Sequence, residues 1–219
     1  MKVMVFGGTG MVGQGVLREC LLEPQVESVL VVGRTATGQQ HPKLREIVHP
    51  DLLDLTPIAG ELAGYDACFF CLGVSAVGLS EPDYRRVTYD ITMSVARTLA
   101  TRNPELTFIY VSGMGTDSAG RAMWARVKGE TENALLGLPF RAYLMRPGLI
   151  QPRHGIVSKT AVYRLIYAVL APLYPVLKVL LPNYLTTTEQ VGRAMIRVAQ
   201  RGGAQRVLEI RDINAAASG

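Results

Sequence analysis

Residues 2–13 read Lys2-Val3-Met4-Val5-Phe6-Gly7-Gly8-Thr9-Gly10-Met11-Val12-Gly13, a short apolar run that stops on a cluster of glycines. The run is rich in valine and bounded by glycine, which predicts a buried strand. Beyond it, Met11 to Glu23 predicts a helix that ends at Pro24. Between them the glycines satisfy both GxxGxxG and the overlapping GxGxxG, in the strand-to-helix setting where that spacing has a mechanism. Glycine permits the tight turn and the close approach of backbone to a pyrophosphate. The anion then faces the free N–H groups and the positive dipole end of the helix. Gly7, Thr9, Gly10, Met11, Val12 and Gly13 are therefore the candidate phosphate-loop residues.

Working outward, Val29 to Val32 is a second apolar run closed by Gly33, and Arg45 to His49 a weaker third, with a loop expected over Thr35 to Lys43. Ala67 to Leu72 is apolar throughout, as a strand covered on both faces must be. Pro82 to Arg102 carries Val87, Ile91, Val95 and Leu99 at intervals of four, one face of a single predicted helix. Thr107 to Val111, Met123 to Leu136 and Arg141 to Met145 continue as strand, helix, strand. The capping signal Thr186-Thr187-Thr188-Glu189 opens a helix to about Arg201, Val207 to Ile210 reads as a last strand, and Ala215 to Gly219 as a frayed end. This alternation predicts an α/β fold, a doubly wound parallel sheet of the Rossmann type with right-handed crossovers. A small C-terminal helical appendage is expected on the substrate side, over about 151–190 of a single domain covering 1–219.

Composition narrows the class. The chain has 219 residues, 48% hydrophobic and 19% charged, with no uninterrupted apolar run of membrane-spanning length. A net charge of +5 favours phosphate-bearing ligands, but the basic residues are scattered and not interleaved with aromatics, so nucleic acid is not an expected partner. The first residues lead directly into the glycine loop without an apolar signal segment, and three cysteines fit a reducing compartment, so a cytoplasmic location is expected. Cys68 and Cys71 form a CxxC inside a strand, where residues three apart point to opposite faces, so packing is the expected role. No His, Cys, Asp or Glu cluster has ligand spacing, and no metal is expected.

At the end of the second predicted strand, where an NAD-binding chain presents a carboxylate to the ribose, this chain has Gly33-Arg34. A guanidinium attracts the additional phosphate of NADP and can bind it bidentately. The expected cofactor is NADP(H) in preference to NAD(H). Asp51 and Leu52, just after the third strand, are placed to border the adenine.

Gly7 to Gly13, Val32-Gly33-Arg34, Cys71-Leu72-Gly73, Val111-Ser112 before Gly115, Lys128-Gly129-Glu130 and Arg146-Pro147-Gly148 together resemble the short-chain dehydrogenase/reductase superfamily. The likeness is to its atypical branch of Tat-interacting oxidoreductase-like, NmrA-like and epimerase/dehydratase-like proteins. The resemblance implies that Ser112 orients a substrate carbonyl and that Lys128 binds the nicotinamide ribose. It implies backbone contacts to the cofactor from Cys71, Leu72, Gly73, Pro147 and Gly148. Trp124 stands where the superfamily has its proton-transferring tyrosine. A phenol with a pKa near 10 can be tuned into a useful range, whereas an indole N–H only donates a hydrogen bond.

Two readings follow. One is an oxidoreductase on a small apolar carbonyl, its proton supplied by water or by Tyr84 or Tyr89; the other is a non-enzymatic NADP(H)-binding module that acts through a protein partner. Val157 to Leu181, apolar but broken by Arg164, Pro172, Pro175 and Lys178, is expected to cap substrate or form a dimer contact in preference to resting on a membrane surface. Oligomeric state stays open.

Overall fold

In the structure, a computed structural model, residues 1–156 and 183–218 are described. Seven strands form one parallel sheet: β1 (Lys2–Phe6), β2 (Ser28–Gly33), β3 (Leu44–Val48), β4 (Ala67–Phe70), β5 (Thr107–Val111), β6 (Arg141–Arg146) and β9 (Val207–Glu209). Their order across the sheet is β3-β2-β1-β4-β5-β6-β9. A separate parallel pair joins β7 (Leu149–Gln151) to β8 (Leu185–Thr187).

Strand alternation divides the core into two layers. Val3, Val5, Ala67 and Phe69 face α1 (Met11–Leu22), α5 (Thr188–Arg201) and α6 (Ile210–Ser218), burying Val16, Leu17, Val191, Met195 and Ile213. Met4, Phe6, Cys68 and Phe70 face the other way, toward α3 (Ile91–Arg102), α4 (Met123–Leu136) and a 3₁₀ segment at Thr56–Leu62. On that side Phe70 stacks between Phe6 and Phe108, each at a centroid distance of 5.8 Å. The order reverses between β1 and β4, which opens a crevice at their carboxyl ends.

The alternating pattern is as the sequence predicts, and the differences are local. Ala67–Phe70 ends two residues before Leu72 because Cys71 and Leu72 turn out to meet Gly7. The predicted helix over Pro82–Arg102 is α2 (Glu81–Arg85), a π-helical turn (Arg86–Asp90) and α3. The π turn widens the helix and changes which side chains face inward. Thr88, Thr92, Val95 and Leu99 are buried, while Val87 lines the crevice. Ala215–Ser218, expected to fray, is helical in α6, whose Ile213 and Ala217 pack into the core; Asp212 accepts the Glu209 N–H at 3.0 Å in its first turn. That helix begins at Ile210, so β9 stops at Glu209. Thr187 is the N-cap of α5, accepting the Gln190 N–H at 3.0 Å. The apolar stretch at 157–181, read as a cap, lies outside the described residues.

Candidate functional site

The crevice is a cleft of about 530 Å³ lined by Gly7, Gly8, Thr9 and Gly10 from the loop after β1, by Gly33, Arg34 and Thr35 after β2, and by Cys71, Leu72 and Gly73 after β4. Its shape depends on two missing side chains. Gly7 has φ +82°, and a Cβ there would lie 2.6 Å from Leu72 N; a Cβ on Gly13 would lie 2.1 Å from the Gly7 carbonyl oxygen. Any side chain at either position forces the β1 and β4 loops apart or lifts α1 off the turn. Gly10 caps α1 with extended backbone and, having no side chain, offers no acceptor to the first-turn N–H groups of the helix. The Met11 and Val12 side chains pack against the core instead of the cleft. An anionic bridge fits this cradle on backbone donors alone.

Arg34 lines the cleft, is exposed, and has no ion-pair partner among the described residues. Asp51 and Leu52 do not belong to the lining. The Asp51 carboxylate accepts the Leu53 N–H at 2.9 Å, closing a local turn, and Leu52 is 2% exposed in the core. They follow β3 as the sequence predicts, with Leu52 packed in the core and Asp51 engaged in the turn.

A second group of residues gathers at the carboxyl end of β5. Ser112 is buried, with its Oγ 3.1 Å from Thr116 Oγ1, which itself donates to the Gly113 carbonyl at 2.8 Å. Lys128 and Trp124 are one turn apart on α4 and so share a face. The Lys128 Nζ donates to the Val111 carbonyl at 3.4 Å and lies 5.4 Å from the Tyr110 ring centroid. Desolvation pushes the Lys128 ammonium down to about 8, against an opposing pull from the Glu132 carboxylate. Glu132 is engaged by Arg146, whose Nε and Nη2 donate to its two oxygens at 3.0 and 2.5 Å. Trp124 is half-buried, with its ring over the loop after β5: Cβ atoms built on Gly113 and Gly115 would meet it at 4.0 and 3.6 Å. Pro147 and Gly148 hold the same loop from the β6 side. The Pro147 carbonyl accepts the Met114 N–H at 3.0 Å, and a Cβ on Gly148 would lie 2.6 Å from Ile210 Cδ1.

Tyr84 and Tyr89, the alternative proton sources, are outside the cleft lining. Tyr84 is 2% exposed, and Tyr89 lies under the Arg85 guanidinium at 4.8 Å. Cys68 and Cys71 face opposite core layers as expected, and burial pushes both thiols up. Val31, Val74 and Val87 also line the cleft. Val74 follows the Cys71-Leu72-Gly73 motif directly, a signal that sequence reading could have used; Val87 depends on the π turn and could not have been found that way.

The family described as NAD dependent epimerase/dehydratase matches residues 3–123, more than half the chain. The chain belongs to that family. It is an atypical short-chain dehydrogenase/reductase, and the cradle at Gly7–Gly13 is suited to the nicotinamide dinucleotide of the family. It is similar to the mitochondrial protein FMP52-1 of Scheffersomyces stipitis, with 26% identity over 153 residues, 68% of this chain and 67% of that one. It is 27% identical over 153 residues to HTATIP2 of Rattus norvegicus, covering 68% of this chain and 62% of that protein. The chain thus spans about two thirds of the length of these relatives. In fold it is similar to an oxidoreductase of the short chain dehydrogenase/reductase family from Burkholderia thailandensis, with a TM-score of 0.66 at 17% identity, covering 90% and 84% of the two chains.

The expected cytoplasmic location is corrected by these relatives, since FMP52-1 is a mitochondrial protein. Free cysteines fit both cytosol and mitochondrion, so they do not distinguish the two. No helix among the described residues is long and apolar enough to cross a membrane.

Proposed function

We propose that the atypical short-chain dehydrogenase/reductase binds NADP(H) and reduces a small apolar carbonyl slowly. The observation that carries the cofactor choice is Arg34, exposed in the cleft lining without an ion-pair partner among the described residues, where a carboxylate would favour NAD(H). The Gly7–Gly13 loop would hold the pyrophosphate, Lys128 the nicotinamide ribose, and Ser112 the substrate oxygen. When bound, the dinucleotide supplies the hydride. Trp124 has no usable proton to transfer, and the loss of general acid catalysis slows turnover by about 10² to 10⁴.

A second reading, a non-enzymatic NADP(H)-binding module acting through a protein partner, is favoured by one observation: the Trp124 ring covers the Gly113–Gly115 loop beside Ser112. Calorimetric titration with NADPH and NADH, for wild type and Arg34→Ala, tests the cofactor. NADPH is expected to bind more tightly than NADH, and Arg34→Ala to remove that preference. Failure of both to bind would sink the proposal. A carbonyl panel with wild type and Trp124→Tyr then separates the readings. An enzyme gains turnover in Trp124→Tyr, whereas a binding module shows none in either form.

A further inference from the structure

The loop that carries Arg34 is tied down by a residue outside the cleft. Glu46 stands on β3, the edge strand, in register with Val31 of β2. In a parallel pair, registered residues share a face, so Glu46 lies beside the valine that supports the phosphate loop. Its Oε1 accepts the Thr37 N–H at 2.8 Å. Thr37 in turn stands beside the phosphate loop: a Cβ built on Gly8 would lie 3.6 Å from Thr37 Cγ2 and 2.9 Å from Val31 Cγ1. Arg34 and Thr35 are thus held between the end of β2 on one side and the Glu46–Thr37 hydrogen bond on the other.

Without that tie, the exposed segment carrying Arg34 would have more freedom for a ligand to order, at an entropic cost to binding. As a charge, a carboxylate would oppose a phosphate held by Arg34. The hydrogen bond to the Thr37 N–H accounts for it as a geometric device.

We infer that Glu46 is a positioning residue for cofactor selectivity, presetting Arg34 toward the ribose phosphate through the Thr37 backbone. This rests on the NADP(H) reading. The carboxylate has two separable properties, an acceptor oxygen and a charge. Glu46→Gln keeps the first and removes the second; Glu46→Ala removes both.

The test is titration of NADPH and NADH into wild type, Glu46→Gln, Glu46→Ala, Arg34→Ala and the Arg34→Ala/Glu46→Ala double variant, with thermal melts to establish folding. Glu46→Ala is expected to lose about tenfold in NADPH affinity, the order expected for a lost hydrogen bond to a charged group, while NADH binding changes little. Glu46→Gln is expected to keep the wild-type preference or exceed it. In the Arg34→Ala background, Glu46→Ala should leave the NADPH to NADH ratio unchanged. Equal losses for both cofactors in Glu46→Ala, or a Glu46→Gln variant as impaired as Glu46→Ala, overturns the inference. A wild type that binds NADH as tightly as NADPH, or binds neither, overturns the NADP(H) reading itself, and is told apart because it appears before any Glu46 variant is compared.

Discussion

Lys128 pays in stability for its position. Its ammonium is desolvated at the end of β5 with one long hydrogen bond to Val111, and its pKa falls to about 8. An unfolded lysine titrates near 10.4, so between those pH values the unfolded chain binds more protons and stability rises with pH. Below pH 8 the full penalty is present. Lys128→Met is therefore expected to melt at a higher temperature than wild type at pH 7, with the difference shrinking as pH rises through 8 toward 10. The same variant should bind NADPH more weakly. A lower melting temperature at pH 7 would show that the contacts to Val111 and Tyr110 outweigh desolvation. At this scale the sequence was informative: spacing placed Lys128 one helical turn after Trp124 and Arg34 at the end of β2. Asp51 and Leu52 stand just after β3 as the sequence ordered them, but neither lines the cleft, because local order says nothing about which way a loop folds.

Between elements, the Glu132–Arg146 pair joins α4 to β6. Glu132 is 3% exposed at its side chain, and Arg146 on β6 reaches it with two donors and Glu209 with a third at 3.3 Å. Removing one partner leaves a buried charge uncompensated, at a cost of roughly 3–5 kcal/mol, whereas replacing both with apolar groups can be nearly neutral. Arg146→Met is expected to lower the urea midpoint strongly, and adding Glu132→Leu to recover most of it. If the double variant is as unstable as the sum of the singles, packing volume and not charge governs the contact. The α1–α5 contact works differently, through absent side chains. Cβ atoms on Gly15 and Gly192 would meet Thr188 Cβ at 2.5 Å and Glu19 Cγ at 2.8 Å. Gly15 lies two residues beyond the phosphate motif, and nothing in the motif signals its packing role. The π turn before α3 was equally hidden, since a spacing of four fits an α-helical face about as well as a wider turn.

For the whole molecule, the three thiols report whether the two core layers open together. Cys20 and Cys68 are buried in opposite layers, Cys71 borders the cleft, and burial pushes all three pKa values up. A thiol reagent at pH 8 is expected to leave Cys20 and Cys68 unmodified in the native protein and to modify both at one common rate set by unfolding. Different rates for the two would mean that one layer opens independently. What the sequence determined by itself was the alternation of strands and helices, the glycine turn after β1, and the identity of the residues at the strand ends. Those depend on local periodicity and on backbone freedom, which short stretches of chain encode. Only the tertiary structure decided which strand ends meet in one cleft, that Glu46 reaches the Arg34 loop, and that the last helix packs instead of fraying. The cleft and the last helix depend on residues far apart in the chain being brought together by burial of the sheet, and the Glu46–Thr37 bond, though it spans nine residues, depends on how the loop between β2 and β3 folds back; no local pattern carries that information.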